Sequence, residues 1–255
     1  MKFHIKTMNS LIKNTDCLEY IKTLEDNSVD MVLTDPPYFI GFDGGKGWDS
    51  QWKSEKEYLD WCDEWSRECV RVLKPGRMMI VWGTLKTDTF IKHKLMLSGY
   101  EGMFSQNEIV WSYNWGGRVK NNFARKHEYA WCYSKGKEFL FNDAEIRVPR
   151  KLKKNIRTGK DFEQGTIPTC VWEKNNHTTS KDYCGWHPTT KNIEVLERMI
   201  SAYTNPGDFV LDIFMGSGST AIAAGRCGRN YIGCERDEEY YEKSLVRIEE
   251  MKDLV

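Results

Sequence analysis

The stretch from residue 208 to residue 235 constrains the fold more than any other part of this 255-residue chain. It reads as a buried strand (DFVLDIF), a glycine-rich turn opening a helix of small residues (GSGSTAIAAGRCG), and a second strand (NYIGCE). A strand, a helix and a strand in this order predict a βαβ unit whose two strands run parallel. We therefore expect an α/β domain built on a mostly parallel sheet.

The remainder of the chain continues this alternation, except for one segment. Residues 141–185 lose the periodicity and are polar and charged, which predicts an inserted element outside the sheet. The catalytic domain is then expected to comprise residues 1–140 and 186–255, with helices on both faces of the sheet. Further strands are predicted at 10–15, 30–34, 77–82, 107–111 and 128–134, and helices at 17–24, 58–72, 87–97, 191–203 and from 237 onward.

Composition indicates a folded globule, because 40% of residues are hydrophobic and 13% aromatic against 29% charged. The longest apolar run, Met78 to Trp82, is far too short for a bilayer. The eight cysteines form no CxxC pair, which is typical of reduced thiols, and we expect a soluble cytoplasmic protein. The best metal candidates have spacings unlike known zinc sites, so packing is the preferred interpretation and no metal is expected; they are Cys170, His177, Cys184 and His187.

A net charge of zero hides a strongly basic middle. Residues 118–160 carry thirteen Lys/Arg against four Asp/Glu, and residues 147–160 alone carry seven cations and no anion. This density suits a surface that contacts phosphates, but a solvated loop would show it too. The segment by itself leaves both interpretations open.

The glycine-rich turn at 216–220 carries the first candidate site. Glycine lets the main chain approach a ligand, and the helix start offers free N–H groups. Glu235 lies nineteen residues beyond Gly216 at the end of the next strand, where an acid can accept hydrogen bonds from ribose hydroxyls. Tight packing of strand and helix would explain the glycines alone, but not the acid. Neither GxGxxG nor a P-loop is present, which argues against a dinucleotide or a nucleoside triphosphate.

The second candidate site is DPPY, residues 35–38, within TDPPYFIGFDGG. Proline fixes its own φ and restricts the residue before it, so Asp35 and Pro36 are held extended. The Asp35 carboxylate and the Pro36 carbonyl can then accept two N–H groups of one amine, while Tyr38 stacks on its ring. An ordinary Asp-Pro turn with a packing tyrosine is the competing interpretation. Residues 39–45 are expected to form a mobile loop over this pocket.

The two motifs and their order resemble those of the amino-methylating DNA methyltransferases. DPPY precedes DIFMGSGST, as in the circularly permuted β class, and four further pieces fit in order and spacing: NTDCLEYI, LKPGRMMIVWG, KHEYAWCYSKG and GWHPTTK. The resemblance thus covers nearly the whole chain. It departs at Ile213 and Asn192, where the family usually has proline, and in an insertion that is short for a target-recognition domain.

This resemblance implies a circularly permuted, Rossmann-like methyltransferase fold and S-adenosylmethionine as methyl donor. Asp35 and Pro36 would hold the amine of a flipped base, with Pro37 and Tyr38 completing the catalytic motif, and Asp in place of Ser favours adenine N6. Glu235 would hold the ribose and Lys191 the cofactor's carboxylate. The residues implied to bind the cofactor are Asp16, Cys17, Asp35, His187, Thr189, Lys191, Asp212, Phe214, Gly216, Ser217, Gly218, Ser219, Thr220, Glu235 and Arg236.

DNA is the implied partner, no membrane is expected, and both a homodimer and a cognate restriction endonuclease stay open. The alternatives are N4-cytosine methylation, methylation of RNA or of a protein amide, and a non-catalytic nucleic-acid-binding module. The cations expected to contact DNA are Arg118, Lys120, Arg125, Lys126, Arg147, Arg150, Lys151, Lys153, Lys154 and Arg157.

Overall fold

The structure is a computed structural model that describes residues 12–42, 44–114, 119–149, 165–174 and 183–252. Eight strands form one sheet in the order β1-β8-β7-β2-β3-β5-β4-β6. The strands are β1 Ile12–Asn14, β2 Val29–Thr34, β3 Leu73–Gly83, β4 Met103–Ser112, β5 His127–Lys135, β6 Val171–Glu173, β7 Phe209–Asp212 and β8 Asn230–Glu235.

The sheet is mostly parallel, as predicted. Strands β1, β8, β7, β2 and β3 all pair in parallel. Among the strands of the described ranges, only β5 runs against its neighbours, pairing antiparallel with β3 on one side and β4 on the other. Because of this single reversal, the beginning of β5 lies at the same edge of the sheet as the carboxyl ends of the other strands.

Helices cover both faces, which confirms the predicted architecture. The helices α1 to α3 pack on one face and α4 to α6 on the other, each over its own apolar cluster. Each cluster joins apolar side chains of the strands to apolar side chains of the covering helices, and their burial drives the association of layers. The helices are α1 Cys17–Ile21, α2 Glu55–Val72, α3 Thr89–Ser98, α4 Ile193–Tyr203, α5 Ser219–Arg226 and α6 Glu238–Lys252.

Side-chain caps define where the helices begin. Asp16 accepts a hydrogen bond from Leu18 N (2.8 Å) at the start of α1, and Ser54 accepts one from Glu57 N (3.2 Å) at α2. At α4 the cap is Asn192, whose Oδ1 accepts from Val195 N at 3.1 Å. The asparagine that departs from the family's usual proline therefore supplies a helix cap instead.

The structure moves several predicted boundaries, among them those of strands β3, β4 and β1. Strand β3 begins at Leu73, so Lys74, Pro75 and Gly76 stop α2 but already belong to the strand. Strand β4 begins at Met103, four residues before the predicted strand, with a register shift between Ser105 and Asn107. The predicted strand at 10–15 is limited to Ile12–Asn14 among the described residues.

The expectation that residues 141–185 stand outside the sheet was wrong for Val171–Glu173. This segment is the edge strand β6 and pairs in parallel with β4. The near end of the insertion is also attached to the domain, because Asn142 Nδ2 donates to Thr204 O (2.7 Å) and Glu145 pairs with Arg229 (3.1 Å). In the described part of the chain, no helix is long and apolar enough to cross a membrane.

Candidate active site

The carboxyl ends of four parallel strands meet at one edge of the sheet, and each is followed or ended by an acid. Asp35 follows β2, Asp212 ends β7, Glu235 ends β8, and Asp16 lies two residues beyond β1. All four line a cavity of about 500 Å³. In open α/β sheets, ligands bind at this edge.

The structure brings nearly all predicted catalytic and cofactor-binding residues to this one cavity. The exception is Gly218, which has a left-handed φ of +77° and packs where a Cβ would lie 3.1 Å from the Ile248 side chain. The predicted residues that line the cavity are Asp16, Cys17, Asp35, Pro36, Pro37, Tyr38, His187, Thr189, Lys191, Asp212, Phe214, Gly216, Ser217, Ser219, Thr220, Glu235 and Arg236.

The DPPY turn is held from behind by the second helix. Tyr58, from α2, donates its hydroxyl to the Pro37 carbonyl at 2.8 Å and is buried beneath the turn. The Pro36 carbonyl has no hydrogen-bond partner in the described structure, as expected for an acceptor aimed at a substrate. The turn thus holds one of its two proline carbonyls and leaves the other available.

Both carboxylate oxygens of Asp35 accept hydrogen bonds. Tyr38 donates its hydroxyl to Oδ1, and Lys191 Nζ lies 2.5 Å from Oδ2. Burial raises the pKa of Asp35, and the Lys191 ammonium only partly offsets this. Burial and the Asp35 charge together raise the pKa of Tyr38 well above its ordinary value, so Tyr38 keeps its proton.

Lys191 is the buried cation of the site, with 7% of its side chain exposed. Its ammonium lies between two carboxylates, Asp35 and Glu128, the latter at 3.1 Å. Burial alone would lower the pKa of Lys191, but the two carboxylates outweigh it and raise this pKa. The structure therefore gives Lys191 protein partners, and its predicted contact with the carboxylate of a cofactor stays a prediction.

Asp212 joins the two motifs. Its Oδ1 accepts hydrogen bonds from Thr34 Oγ1 at 2.8 Å, at the end of β2, and from Phe214 N at 3.0 Å. The side chain is buried, and this burial raises the pKa of Asp212 to about 6. These contacts fix the ends of β2 and β7 relative to each other.

The glycine-rich turn passes close to other backbone and side chains, so that only glycine fits. At Gly216 φ is +51°, and a Cβ would lie 2.8 Å from His187 Nε2. Gly216 N donates to Glu235 Oε2 at 2.8 Å. Arg247, from α6, donates to Ser217 O at 2.7 Å, which fixes the turn from outside the cavity.

Glu235 accepts two backbone hydrogen bonds, from Gly216 N and from Asp237 N, each at 2.8 Å. Burial raises the pKa of Glu235, and these two N–H groups offset part of the rise. Each carboxylate oxygen retains a lone pair, so Glu235 can still accept from the hydroxyls of a ribose. The fixed carboxylate and the adjacent glycine turn fit the nucleoside end of S-adenosylmethionine.

The loop after DPPY is closed on itself by a residue that sequence reasoning missed. Asp49 is 1% exposed and accepts three backbone hydrogen bonds, from Phe39 N at 2.7 Å, Ile40 N at 2.8 Å and Phe42 N at 3.1 Å. Farther along, Lys46 pairs with Glu239. The contacts of Asp49 fix the backbone of residues 39–42 beside the cavity, and the predicted mobility of residues 39–45 stays a prediction.

The other missed residues come from the antiparallel part of the sheet. Glu128 and His127 begin β5, and Trp111 and Tyr113 lie at the end of β4; all four line the cavity. Glu128 reaches Lys191, the partner of Asp35, because β5 reverses direction, which sequence periodicity does not encode. In the sequence, the only indication of these residues was the polar pair His127 and Glu128 immediately before an apolar strand.

The expected DNA contacts are described only in part. Lys120 and Arg125 are exposed, Arg125 lines the cavity mouth, and Lys126 Nζ donates to Asn114 O at 3.3 Å. Arg147 pairs with Asp143, so its charge is already balanced within the chain. Six further predicted cations lie outside the described residues, namely Arg118, Arg150, Lys151, Lys153, Lys154 and Arg157.

The candidate metal group is also partly outside the described residues, because His177 is. Cys184 lies near Thr190, with 3.0 Å between Sγ and Oγ1, and His187 packs on Tyr240 with ring centroids 4.7 Å apart. Within the described ranges, no three His, Cys, Asp or Glu side chains are arranged to hold a metal.

Comparison with known proteins identifies the family. A family model described as DNA methylase, named for N6 and N4 methyltransferases, matches residues 29–246. The chain is 33% identical to the Type II methyltransferase M.HpaI of Haemophilus parainfluenzae, over 92% of this chain and 73% of that protein. It is also 33% identical to the DNA adenine methyltransferase YhdJ of Escherichia coli K12, over 92% of this chain and 81% of that protein.

Solved structures agree with this relationship. The M1.HpyAVI–SAM complex aligns with a TM-score of 0.61 at 26% identity, over 92% of this chain and 98% of that chain. The cytosine-N4-specific PvuII DNA methyltransferase aligns with a TM-score of 0.72 at 19% identity, over 95% and 90%, and this likeness shows the fold alone. The chain therefore belongs to the DNA methylase family, the S-adenosylmethionine-dependent N6 and N4 methyltransferases, as its motifs predicted.

Proposed function

We propose that this protein transfers a methyl group from S-adenosylmethionine to the N6 amine of adenine at specific sites in DNA. The observation that carries the proposal is the arrangement of Asp35 and the Pro36 carbonyl at the same cavity as Glu235 and the glycine turn. Two acceptors for an amine and a nucleoside-type cradle thereby open into one space. Family membership supports the same chemistry.

The chain's own residues provide the cofactor site. Glu235 and the turn at Gly216 would hold the ribose, and Asp16, Cys17 and Thr189 line the same cavity. When bound, S-adenosylmethionine supplies a methyl group on a positively charged sulfur, which leaves as a neutral thioether. The acidic edge of the sheet suits this cationic group.

The target amine must leave the duplex before Asp35 can reach it. Tyr38 donates to Asp35 Oδ1 in the structure, so an entering base takes the place of the Tyr38 hydroxyl and gains the tyrosine ring as a stacking partner. Asp35 and the Pro36 carbonyl then accept the two amino protons, which localises the nitrogen lone pair for attack. Catalysis rests on orientation and electrostatics.

Methyl transfer from the sulfonium to the amine needs no additional reagent. The lone pair on the amine nitrogen forms the bond to the methyl carbon as the sulfur–carbon bond breaks. The nitrogen becomes cationic and loses one proton, which Asp35 accepts or passes to solvent. Asp35 suits this role because its burial raises its pKa.

We prefer adenine to cytosine because Asp begins the motif and because the relative YhdJ is an adenine methyltransferase. N4-cytosine methylation is the second candidate, since both amines offer two protons to the same acceptors. Transfer to RNA or to a protein amide is disfavoured by Asp35, the permuted order and the basic insertion.

DNA is the substrate of this family, and we propose that residues 141–185 and the cations at 118–126 contact it as a target-recognition surface. Because the relative M.HpaI is a Type II methyltransferase, we propose a companion restriction endonuclease as one partner of this protein. A second copy of the chain is the other partner that we propose. The named relatives come from bacteria, and we propose a cytoplasmic setting for this chain as well.

The test is transfer of labelled methyl groups from S-adenosylmethionine to unmodified DNA, followed by digestion to nucleosides and chromatography. We expect N6-methyladenine as the labelled product. N4-methylcytosine as the sole product would overturn the choice of base, and no incorporation into any DNA would overturn the proposed activity. RNA and protein substrates serve as matched controls and are expected to remain unlabelled.

A further inference from the structure

Glu128 is a charged residue of the cavity that the DPPY and glycine motifs do not account for, and it contacts the cation that pairs with Asp35. It is the second residue of β5, pairs in register with Trp111 of β4, and has 24% of its side chain exposed. Its Oε2 lies 3.1 Å from Lys191 Nζ, on a different element from Asp35. A carboxylate on a central strand is held in place far better than one on a loop.

Lys191 is therefore shared between two carboxylates rather than committed to one. With Asp35 at 2.5 Å and Glu128 at 3.1 Å, the three groups count two negative charges and one positive charge, which leaves a net charge of −1. If Glu128 were absent, the same ammonium would neutralise Asp35 alone. A neutralised carboxylate is a weaker acceptor for an amine and gives less stabilisation to a cation beside it.

The charge that develops during methyl transfer makes this difference consequential. Positive charge moves from the sulfur to the amine nitrogen, next to Asp35, as the new nitrogen–carbon bond forms. A cluster with net negative charge stabilises the later position of the charge, whereas a neutral cluster does so far less. Glu128 is placed to supply this excess through its contact with Lys191.

We propose that Glu128 is a positioning residue for methyl transfer, which shares Lys191 with Asp35 and so keeps Asp35 a strong acceptor for the amine of the flipped base. This inference rests on the proposed function. The Glu128 carboxylate acts through Lys191, and the part of the reaction that it affects is the chemical step rather than binding of cofactor or DNA.

The test compares Glu128→Gln with wild type in single-turnover methyl transfer at saturating S-adenosylmethionine and DNA. Glutamine keeps the size and an oxygen acceptor for Lys191 but removes the charge, so a merely structural role would survive. We expect the rate to fall about tenfold to a hundredfold, with cofactor and DNA dissociation constants within about threefold of wild type. Glu138→Gln, at an exposed position just after the same strand, is the matched control and should match wild type.

The pH profile gives a second readout. The charged and titratable groups that face Asp35 are Lys191, Tyr38, Glu128 and Asp212. Because Glu128 contributes to the raised pKa of Asp35, its neutralisation should move the acid limb of the single-turnover profile to lower pH. Glu128→Asp keeps the charge and should keep the wild-type acid limb. If the glutamine variant folds poorly, the comparison of Glu128→Asp with wild type still tests the role of the charge.

The outcomes separate the two proposals. Wild-type activity on DNA together with an unchanged rate and acid limb in Glu128→Gln would overturn the role of Glu128 and leave the proposed function standing. A wild type that methylates no DNA would overturn both. A slower Glu128→Gln with a shifted acid limb, rescued in part by Glu128→Asp, would support the role.

Discussion

Asp35 follows β2 and Asp212 ends β7, so both are acids at the ends of neighbouring strands. They look alike in the sequence, but their exposure and their hydrogen-bond partners differ. Asp212 is 2% exposed and accepts hydrogen bonds from Thr34 and from the backbone of Phe214, on both strands. Asp35 has 21% of its side chain exposed and is contacted by the side chains of Tyr38 and Lys191.

The two carboxyl groups differ in how easily their hydrogen-bond donors can leave. The backbone N–H of Phe214 cannot leave Asp212 unless the chain after β7 moves, and the Thr34 hydroxyl joins Asp212 to β2, so this carboxyl group links the two strand ends. The tyrosine hydroxyl can leave Asp35 by rotation of one side chain. The same residue type therefore acts as a structural link at one strand end and as an exchangeable acceptor at the next.

The largest expected effect is that of Asp35→Ala on catalysis. Without the carboxylate the amine has lost one of its two acceptors, and methyl transfer should fall by about a thousandfold or more. Cofactor affinity, measured by isothermal titration calorimetry, should change little because the cavity wall at Glu235 is untouched. Turnover near the wild-type rate would make Asp35 no more than another link in the sheet.

Asp212→Asn should affect stability rather than chemistry, and in a pH-dependent way. The pKa of Asp212 is about 6 in the folded protein against 3.8 ordinarily, so stability from this group is complete below pH 3.8 and is lost as pH rises through 6. The loss amounts to about 3 kcal/mol. The asparagine variant should not lose this stability, because asparagine does not ionise. Its free energy of unfolding relative to wild type, measured with urea, should therefore rise between pH 3.8 and pH 6. A difference that does not vary with pH would contradict the assignment.

Glu235→Ala should weaken S-adenosylmethionine binding by roughly thirtyfold, because hydrogen bonds to a carboxylate are lost. The backbone at Gly216 also loses its acceptor. DNA binding should be retained, since Glu235 lies at the cofactor end of the cavity. Equal loss of both affinities would show that the variant disturbs the whole edge of the sheet.

The smallest expected effect is that of the surface cations. Lys120→Gln with Lys126→Gln should weaken DNA binding only severalfold and reduce the slope of log affinity against log salt by up to about 2. Lys13→Gln, on the edge strand at the opposite side of the sheet, should change neither. A salt slope equal to that of wild type would mean that these cations belong to a solvated face.

The sequence alone was sufficient for the parallel core and both motifs, because βαβ units and the DPPY and glycine turns depend on local chemistry. It was insufficient where distant segments meet. The reversal of β5, which brings Glu128 beside Lys191, and the pairing of β6 with β4 depend on tertiary packing. Asp49 was missed for a different reason, because its three hydrogen bonds close an irregular loop with backbone seven to ten residues away, and such a loop has no periodic pattern.

Methyl transfer to adenine N6 is tested most directly by finding which nitrogen receives the methyl group. DNA with ¹⁵N in the adenine amino groups is methylated with S-adenosylmethionine carrying a ¹³C methyl, and the product is examined by NMR. We predict a methyl signal split by one-bond coupling to the labelled nitrogen. A methyl signal in the DNA without this coupling would contradict transfer to adenine N6.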